Sequence, residues 1–240
     1  MGIGGYFAIQ NPKVRRYIKH LLYHQTVTHK EFGIRVPIQY KVHGIDVSHH
    51  QGKIDWKKVK AMKVKGITFD FAFIKATEGK THNDTKYFYN WKNAKKNNII
   101  RGAYHYFKPN VDGALQAKHF IGRVKLQKGD LPPVIDVEEI GKVSKKKLMK
   151  EVLKFANAVE KKYAIKPIIY TFHDFYKLNF DETFMDYKLW IAHYYVNSPR
   201  NKTWNFWQHS DRGKVSGINT DVDFNVFNKS LEKMQDILVK

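Results

Sequence analysis

Short apolar segments alternate with amphipathic segments along most of the chain. The apolar segments that have the length of buried strands span residues 43–47, 69–75, 100–106, 133–137, 167–171, 188–192, 204–208 and 219–224. The amphipathic segments that predict helices lie near residues 55–65, 84–97, 112–125, 144–162 and 228–238. Strands that alternate with helices indicate parallel βαβ units. We therefore expect an α/β fold, an irregular TIM-like (β/α) barrel over residues 42–240, in which helices become sparse after residue 165.

The first 41 residues have a different pattern. Their apolar positions at helical spacing are Val14, Tyr17, Ile18, Leu21 and Leu22. With the Lys and Arg residues around them, these positions predict a basic helix from Asn11 to Glu31 in an N-terminal extension, residues 1–41. Two interpretations stay open, a helix packed against the barrel and a basic helix beside a membrane. No signal peptide is visible, and the first seven residues are consistent with the trimmed end of an anchor or export signal.

Composition narrows the classes of function. The absence of cysteine excludes disulfides and Cys-ligated zinc. The net charge of +21 favours a polyanionic partner, which is nucleic acid, anionic lipid or an anionic cell wall. Lys supplies most of this charge, whereas base recognition relies on Arg, so we expect no nucleic-acid partner. A nucleic-acid binder remains an alternative, and its affinity for oligonucleotides would fall steeply with salt.

Acidic residues stand at the ends of three predicted strands. Asp46 ends the first strand, Asp136 and Glu138 end the fourth, and Asp223 lies in the last. In (β/α) barrels, catalytic side chains lie at the C-terminal ends of the strands. The four carboxylates therefore predict an acidic cup at the mouth of an otherwise basic barrel.

The pair Asp136 and Glu138 has the most informative spacing. Residues two apart on a strand share a face, so both side chains point one way and Glu139 points the other. Two neighbouring carboxylates cannot both ionise easily, which raises one pKa and keeps one acid protonated near neutral pH. The alternative interpretation is a solvated strand end or a carboxylate that caps the next helix.

A metal-dependent reaction is a competing hypothesis. Carboxylates together with His49, His50, His105 and His193 are possible ligands of a divalent ion. The HxxxH pair lies in the N-terminal extension, however, and we expect no metal and no other cofactor. GxSxG, P-loop and GxGxxG motifs are also absent from the chain, which disfavours serine hydrolases, nucleotide triphosphatases and dinucleotide enzymes.

Several motifs occur in order along residues 43–228. They are HGIDVSHHQG at 43–52, FIKATEG at 73–79, RGAYHYF at 101–107, VIDVE at 134–138, PIIYT at 167–171, LWIAHY at 189–194, FWQH at 206–209, GIN at 217–219 and VDFN at 222–225. Taken together, they resemble glycoside hydrolase family 25, the Chalaropsis-type lysozymes. The N-terminal 41 residues lie outside the resemblance.

The resemblance implies an N-acetylmuramidase without a metal. Its substrate would be bacterial peptidoglycan, cut at the β-1,4 bond between N-acetylmuramic acid and N-acetylglucosamine. Glu138 matches the general acid, and Asp136 matches the residue that orients the substrate's own N-acetyl group for attack on the anomeric carbon. Such substrate assistance needs no second carboxylate as nucleophile. Asp46 and Asp223 would shape the acidic cup and tune Glu138.

The resemblance also implies a sugar cleft and a location. The positions that match residues lining the cleft are Tyr104, Tyr170, Trp190 and Gln208. We expect a monomer outside the cytoplasm, either secreted, periplasmic or anchored to a membrane through the N-terminal segment. Two further hypotheses are a non-catalytic barrel that binds cell-wall carbohydrate and a metal-dependent polysaccharide deacetylase or phosphodiesterase, which a chelator would inhibit.

Overall fold

The computed structural model describes residues 26–201 and 203–240, and their secondary structure follows the predicted alternation of strands and helices. The strands are β1 (Thr26–His29), β2 (Ile34–Pro37), β3 (Val42–Val47), β4 (Phe69–Glu78), β5 (His82–Asn83), β6 (Ile100–Tyr106), β7 (Val134–Asp136), β8 (Ile168–Phe172), β9 (Lys188–Ala192), β10 (Phe206–Gly213) and β11 (Val222–Phe227). The helices are α1 (Trp56–Ala61), α2 (Tyr87–Lys96), α3 (Gly113–Arg123), α4 (Lys145–Tyr163), α5 (His173–Asn179) and α6 (Leu231–Gln235).

Eight of the described strands close into a barrel. Their order is β3, β11, β10, β9, β8, β7, β6, β4, and a pairing between β3 and β4 closes the ring. Neighbouring strands from β4 to β10 run parallel, whereas β11 pairs antiparallel with both β10 and β3. The predicted barrel with an irregular second half is confirmed.

The barrel strands alternate between two apolar layers, as a period of two requires. One layer fills the barrel interior and includes Phe73, Val134 and Trp190. The other packs the strands against the helices, where Ile135 meets the core that contains the apolar stripe of α4. The buried members of that stripe are Leu148, Val152, Phe155, Ala156 and Val159.

Two glycines make room for the aromatic interior. A Cβ atom on Gly44 would lie 2.5 Å from the ring of Phe71, and a Cβ on Gly102 would lie 2.6 Å from the ring of Phe73. Both contacts are closer than van der Waals packing allows. Strands β3 and β6 therefore carry glycine where large rings fill the barrel.

The N-terminal helix predicted for residues 11–31 is wrong where the structure describes it. Residues 26–29 form a strand that pairs antiparallel with β2, and Thr26 lies opposite Pro37. β-Branched residues favour this strand, and Gly33 supplies the left-handed turn at φ 68°. Residues 11–25 of the predicted helix lie outside the described residues.

The hairpin packs on the barrel and does not stand apart from it. The ring of Phe32, in the hairpin turn, is fully buried and lies 5.9 Å from that of Phe69 and 5.3 Å from that of Phe224. The amide of Lys214 donates a hydrogen bond to the Phe32 carbonyl over 2.9 Å. Residues 26–37 thus share the outer core of the barrel. No helix in the described part of the chain is long and apolar enough to cross a membrane.

Candidate active site

All the side chains that the sequence singled out for catalysis or sugar binding line one cleft. They are Asp46, Tyr104, Asp136, Glu138, Tyr170, Trp190, Gln208 and Asp223. The cleft has a volume of about 270 Å³ and lies at the end of the barrel where the parallel strands terminate. Because β11 runs antiparallel to β3, its first residues reach this same end and bring Asp223 opposite Asp46.

Strand β7 delivers Asp136 and Glu138 to the cleft. The amide of Phe107 donates to the Asp136 carbonyl over 2.8 Å, and the amide of Val137 donates to the Tyr170 carbonyl over 2.9 Å. These bonds continue the strand pairing past Asp136, so the alternation of faces persists. Val137 is buried in the outer core, and its two neighbours therefore face the barrel mouth.

Glu139 lies apart from the cleft. It is absent from the residues that line it, and one of its oxygens lies 3.3 Å from the Nζ of Lys108. Lys108 also pairs with Glu78 over 3.2 Å. The two adjacent glutamates of this strand end thus have different surroundings.

Burial and neighbouring carboxylates raise the pKa of both carboxyls of the pair. Burial raises the pKa of the Asp136 carboxyl well above its usual range, and the charge of Glu138 raises it further. Burial also raises the pKa of Glu138, and the charge of Asp46 adds to that rise, while the Tyr170 hydroxyl and the ammonium of Lys75 oppose it. Asp136 Oδ1 is buried and has no hydrogen-bond partner among the described residues, so it is available to a substrate donor.

Asp46 and Asp223 form a second carboxyl pair. Burial and the charge of Asp46 raise the pKa of Asp223 to about 9. Burial raises the pKa of Asp46 to about 6, although hydrogen bonds from Asn225, Gln208 and Asp223 oppose the rise. At neutral pH, Asp223 therefore carries a proton and Asp46 is mostly an anion.

Two amide side chains hold the Asp46 anion in place. Its Oδ2 accepts hydrogen bonds from Asn225 Nδ2 over 2.7 Å and from Gln208 Nε2 over 2.8 Å. The orientation of each amide is set by another donor: Trp190 Nε1 donates to Asn225 Oδ1 over 2.7 Å, and the Tyr170 hydroxyl donates to Gln208 Oε1 over 2.8 Å. The network fixes a negative charge at the bottom of the cleft.

The network also uses groups that the sequence analysis assigned to sugar binding. Gln208 and Trp190 line the cleft but are nearly fully buried, and their polar groups bond within the protein. The ring of Trp190 stacks on Phe73 with 4.2 Å between centroids. The structure thus gives these two residues a positioning role, and their contact with sugar stays a prediction.

Sequence reasoning missed several residues of the site. Lys75, Tyr106 and Tyr194 also line the cleft. Lys75 Nζ donates to Glu78 Oε2 over 2.7 Å and lies 4.9 Å from the centre of the Tyr106 ring. Lys75 and Tyr106 lie near the C-terminal ends of barrel strands, so the same rule that found Asp46 was available to find them.

Three of the four histidines considered as metal ligands have the partners described next, and the fourth, His50, lines the cleft. His105 is buried between Thr77 Oγ1 and Gln116 Oε1, at 2.7 and 3.1 Å. His49 Nδ1 lies 3.2 Å from Asp84, and the ring of His193 stacks on another histidine. Within residues 26–201 and 203–240, no group of three or more His, Asp or Glu side chains is arranged to hold a metal ion.

A pair of carboxyls with raised pKa values, set in a cleft at the mouth of a β/α barrel, is the arrangement of a glycoside hydrolase. The sequence model of glycosyl hydrolases family 25 matches residues 45–218 of the chain. The chain belongs to this family, and the protein is a glycoside hydrolase.

Relatives and solved structures agree with this assignment. The chain is 50% identical over 208 residues to the uncharacterised protein YegX of Escherichia coli. The match covers 86% of this chain and 76% of that protein. It is 34% identical over 210 residues to Lysozyme M1 of Streptomyces globisporus, over 80% of this chain and 70% of that one. The structure of a family 25 glycosyl hydrolase from Bacillus anthracis superposes with a TM-score of 0.77 at 32% identity, over 88% of this chain and 98% of that one.

Proposed function

We propose that the protein is a lysozyme that hydrolyses the β-1,4 bond between N-acetylmuramic acid and N-acetylglucosamine in bacterial peptidoglycan. The observation that carries the proposal is the pair Asp136 and Glu138 on the interior face of β7, with pKa values raised by burial. The similarity to Lysozyme M1 supports the substrate class.

In the first step, Glu138 acts as general acid. Its carboxyl proton passes to the glycosidic oxygen as the bond from that oxygen to the anomeric carbon breaks. The fixed negative charge of Asp46 favours the protonated form of Glu138 and so keeps this proton available. The resulting Glu138 carboxylate then takes a proton from the water that attacks the anomeric carbon, which restores the acid.

The N-acetyl group of the substrate serves as the nucleophile in this scheme. Its carbonyl oxygen attacks the anomeric carbon and closes an oxazolinium ring, which the water later opens. The unpartnered Oδ1 of Asp136 accepts the hydrogen bond of the N-acetyl N–H and stabilises the positive charge that grows on the ring. Asp223 supports the scheme indirectly, because its proton lets Asp46 remain ionised beside it.

Mass spectrometry of digested peptidoglycan tests the bond. We expect purified cell walls to release muropeptides whose reducing end is N-acetylmuramic acid. The measurement compares the products before and after borohydride reduction, which labels the reducing sugar. Reducing N-acetylglucosamine would contradict the proposal and assign a glucosaminidase.

Salt tests the role of the positive charge. We propose that the enzyme works outside the cytoplasm, where its net charge of +21 attracts the anionic wall. Because the screening length is about 8 Å at physiological ionic strength, moderate salt should weaken binding to whole walls more than cleavage of short soluble glycans. Pull-down on walls and turnover of soluble glycan, measured over one salt series, give the comparison. Equal sensitivity would place the effect inside the cleft.

A further inference from the structure

A second pocket, which we call the hairpin pocket, adjoins the cleft on the side of the N-terminal hairpin formed by β1 and β2. It has a volume of about 260 Å³, and its walls come from β2, from the residues after β9 and from β10. Ile34 and Val196 contribute apolar surface, while Tyr194 lines both this pocket and the cleft. The two spaces therefore share one aromatic wall residue.

Two arginines line this pocket. Arg35 extends from the hairpin, is exposed and has no ion-pair partner among the described residues. Arg212 lies on β10, with its Nε 3.6 Å from the Asp211 carboxylate, which partly compensates its charge. Asp211 in turn raises the pKa of Asp223 in the cleft. The pocket thus carries two arginine charges and the Asp211 carboxylate, and it lies close enough to the cleft for Asp211 to act on Asp223.

Two features suggest that the pocket binds a ligand. Tyr195, which lines it, is 82% exposed and has a φ of 58°, a left-handed conformation that costs a non-glycine residue energy. His209 also lines the pocket, is only 7% exposed, and its Nε2 has no hydrogen-bond partner among the described residues. An aromatic held exposed and a buried nitrogen without a partner are both expected where a ligand contacts the protein.

We propose that this pocket binds the stem peptide of the peptidoglycan strand, a site that rests on the proposed muramidase function. The peptide is joined to the lactyl group of the same N-acetylmuramic acid that the cleft would hold, so its binding site must adjoin the cleft. A glycan whose lactyl groups are amide-linked is uncharged, and the free carboxylates belong to the peptide. Alanyl methyl groups of the peptide would pack against Ile34 and Val196, and its carboxylates would accept hydrogen bonds from Arg35 and Arg212.

The hairpin wall of this pocket lies outside the region that the family model matches. Ile34 and Arg35 precede residue 45, where the family match begins. The buried ring of Phe32 and its carbonyl bond to Lys214 hold the hairpin on the barrel. Arg35 is therefore presented from a supported strand, and the pocket adds selectivity for glycan that carries peptide.

Two matched substrates test the proposal. Glycan strands that carry stem peptides are compared with the same strands after an amidase has removed the peptides and the freed lactyl carboxylates have been converted to amides. We expect Arg35→Gln to lower kcat/KM about tenfold on the first substrate, the usual cost of losing a charged hydrogen bond, and to leave the second unchanged. Arg212→Gln should have a smaller effect because Asp211 already neutralises part of its charge.

Arg123→Gln is the matched control. It removes the same charge, but Arg123 lies on α3 with its guanidinium 3.9 Å from the ring of Phe88, and it lines neither the cleft nor the hairpin pocket. It should change neither substrate. Equal losses for Arg35→Gln on both substrates, or no loss on either, would overturn the stem-peptide site.

Calorimetry separates this proposal from the proposed function. A Glu138→Gln protein is titrated with a disaccharide tetrapeptide and with the peptide-free disaccharide amidated at its lactyl group, with and without the Arg35→Gln change. We expect tighter binding of the peptide-bearing ligand, and the difference should disappear with Arg35→Gln. Equal affinities for the two ligands would overturn the site even if cleavage occurs. A wild-type protein that cleaves neither strand would overturn the muramidase function instead.

Discussion

Glu138→Gln should lower the turnover of cell walls by roughly 10²–10⁴-fold, the range that general acid catalysis contributes. Glutamine keeps the size of the side chain but has no proton to give to the leaving sugar oxygen. Fold and glycan binding should persist, because no hydrogen bond of the Asp46 network depends on Glu138. Loss of turbidity of a wall suspension gives the rate, and circular dichroism checks the fold.

Glu139→Gln is the control for this experiment. The two residues are adjacent and chemically identical, yet Glu139 pairs with Lys108 outside the cleft. Its replacement should leave the rate close to that of the wild type. A protein that tolerates Glu138→Gln but loses activity with Glu139→Gln would show that the assignment of strand faces is wrong. The wild-type rate in this experiment also tests the alternative of a non-catalytic wall-binding barrel, which predicts no cleavage.

The pH profile of the wild type should reflect the same acid. Because the folded pKa of Glu138 is raised, its proton is present below that pKa and is lost as the pH rises through it. Activity should therefore fall on the alkaline side. In a profile of kcat/KM against pH, the fall at high pH is the alkaline limb, and it reports the pKa of this acid in the free enzyme.

Asp136→Asn should also lower turnover, by about 10²–10³-fold. A loss of this size is typical when one group that stabilises a developing charge is removed. Asparagine keeps the shape of the side chain but cannot ionise, so it cannot offset the positive charge of the oxazolinium ring. The measurement is turnover of soluble glycan over a range of pH.

The pH profile distinguishes this role from a structural one. Asp136 and Glu138 titrate as a pair, and the pKa of Asp136 is raised in part by Glu138. Replacing Asp136 removes this coupling, so the alkaline limb of the profile should move. A variant with reduced activity but an unmoved limb would indicate that Asp136 only supports the local fold.

The sequence by itself predicted the barrel and its acidic mouth, because both follow from local rules. A period of two places Asp136 and Glu138 on one face, and the strand-end rule selects Asp46 and Asp223. The motifs in order predicted the family, which the match to residues 45–218 confirms. The same local reasoning was wrong for residues 26–31, where the helical spacing of the residues before them outweighed the β-branched residues of β1.

Only the tertiary structure decided how these residues act on one another. Asp46 contacts Gln208, 162 positions later, and Asn225, 179 positions later, through strand pairings between segments that are far apart in the chain. These pairings make Asp46 the fixed anion beside Glu138 and turn Gln208 inward. The hairpin pocket has the same origin, because Arg35 and Arg212 share it only once β2 packs beside β10. Spacing along a chain determines which face a side chain takes, whereas its partners depend on the closure of the whole sheet.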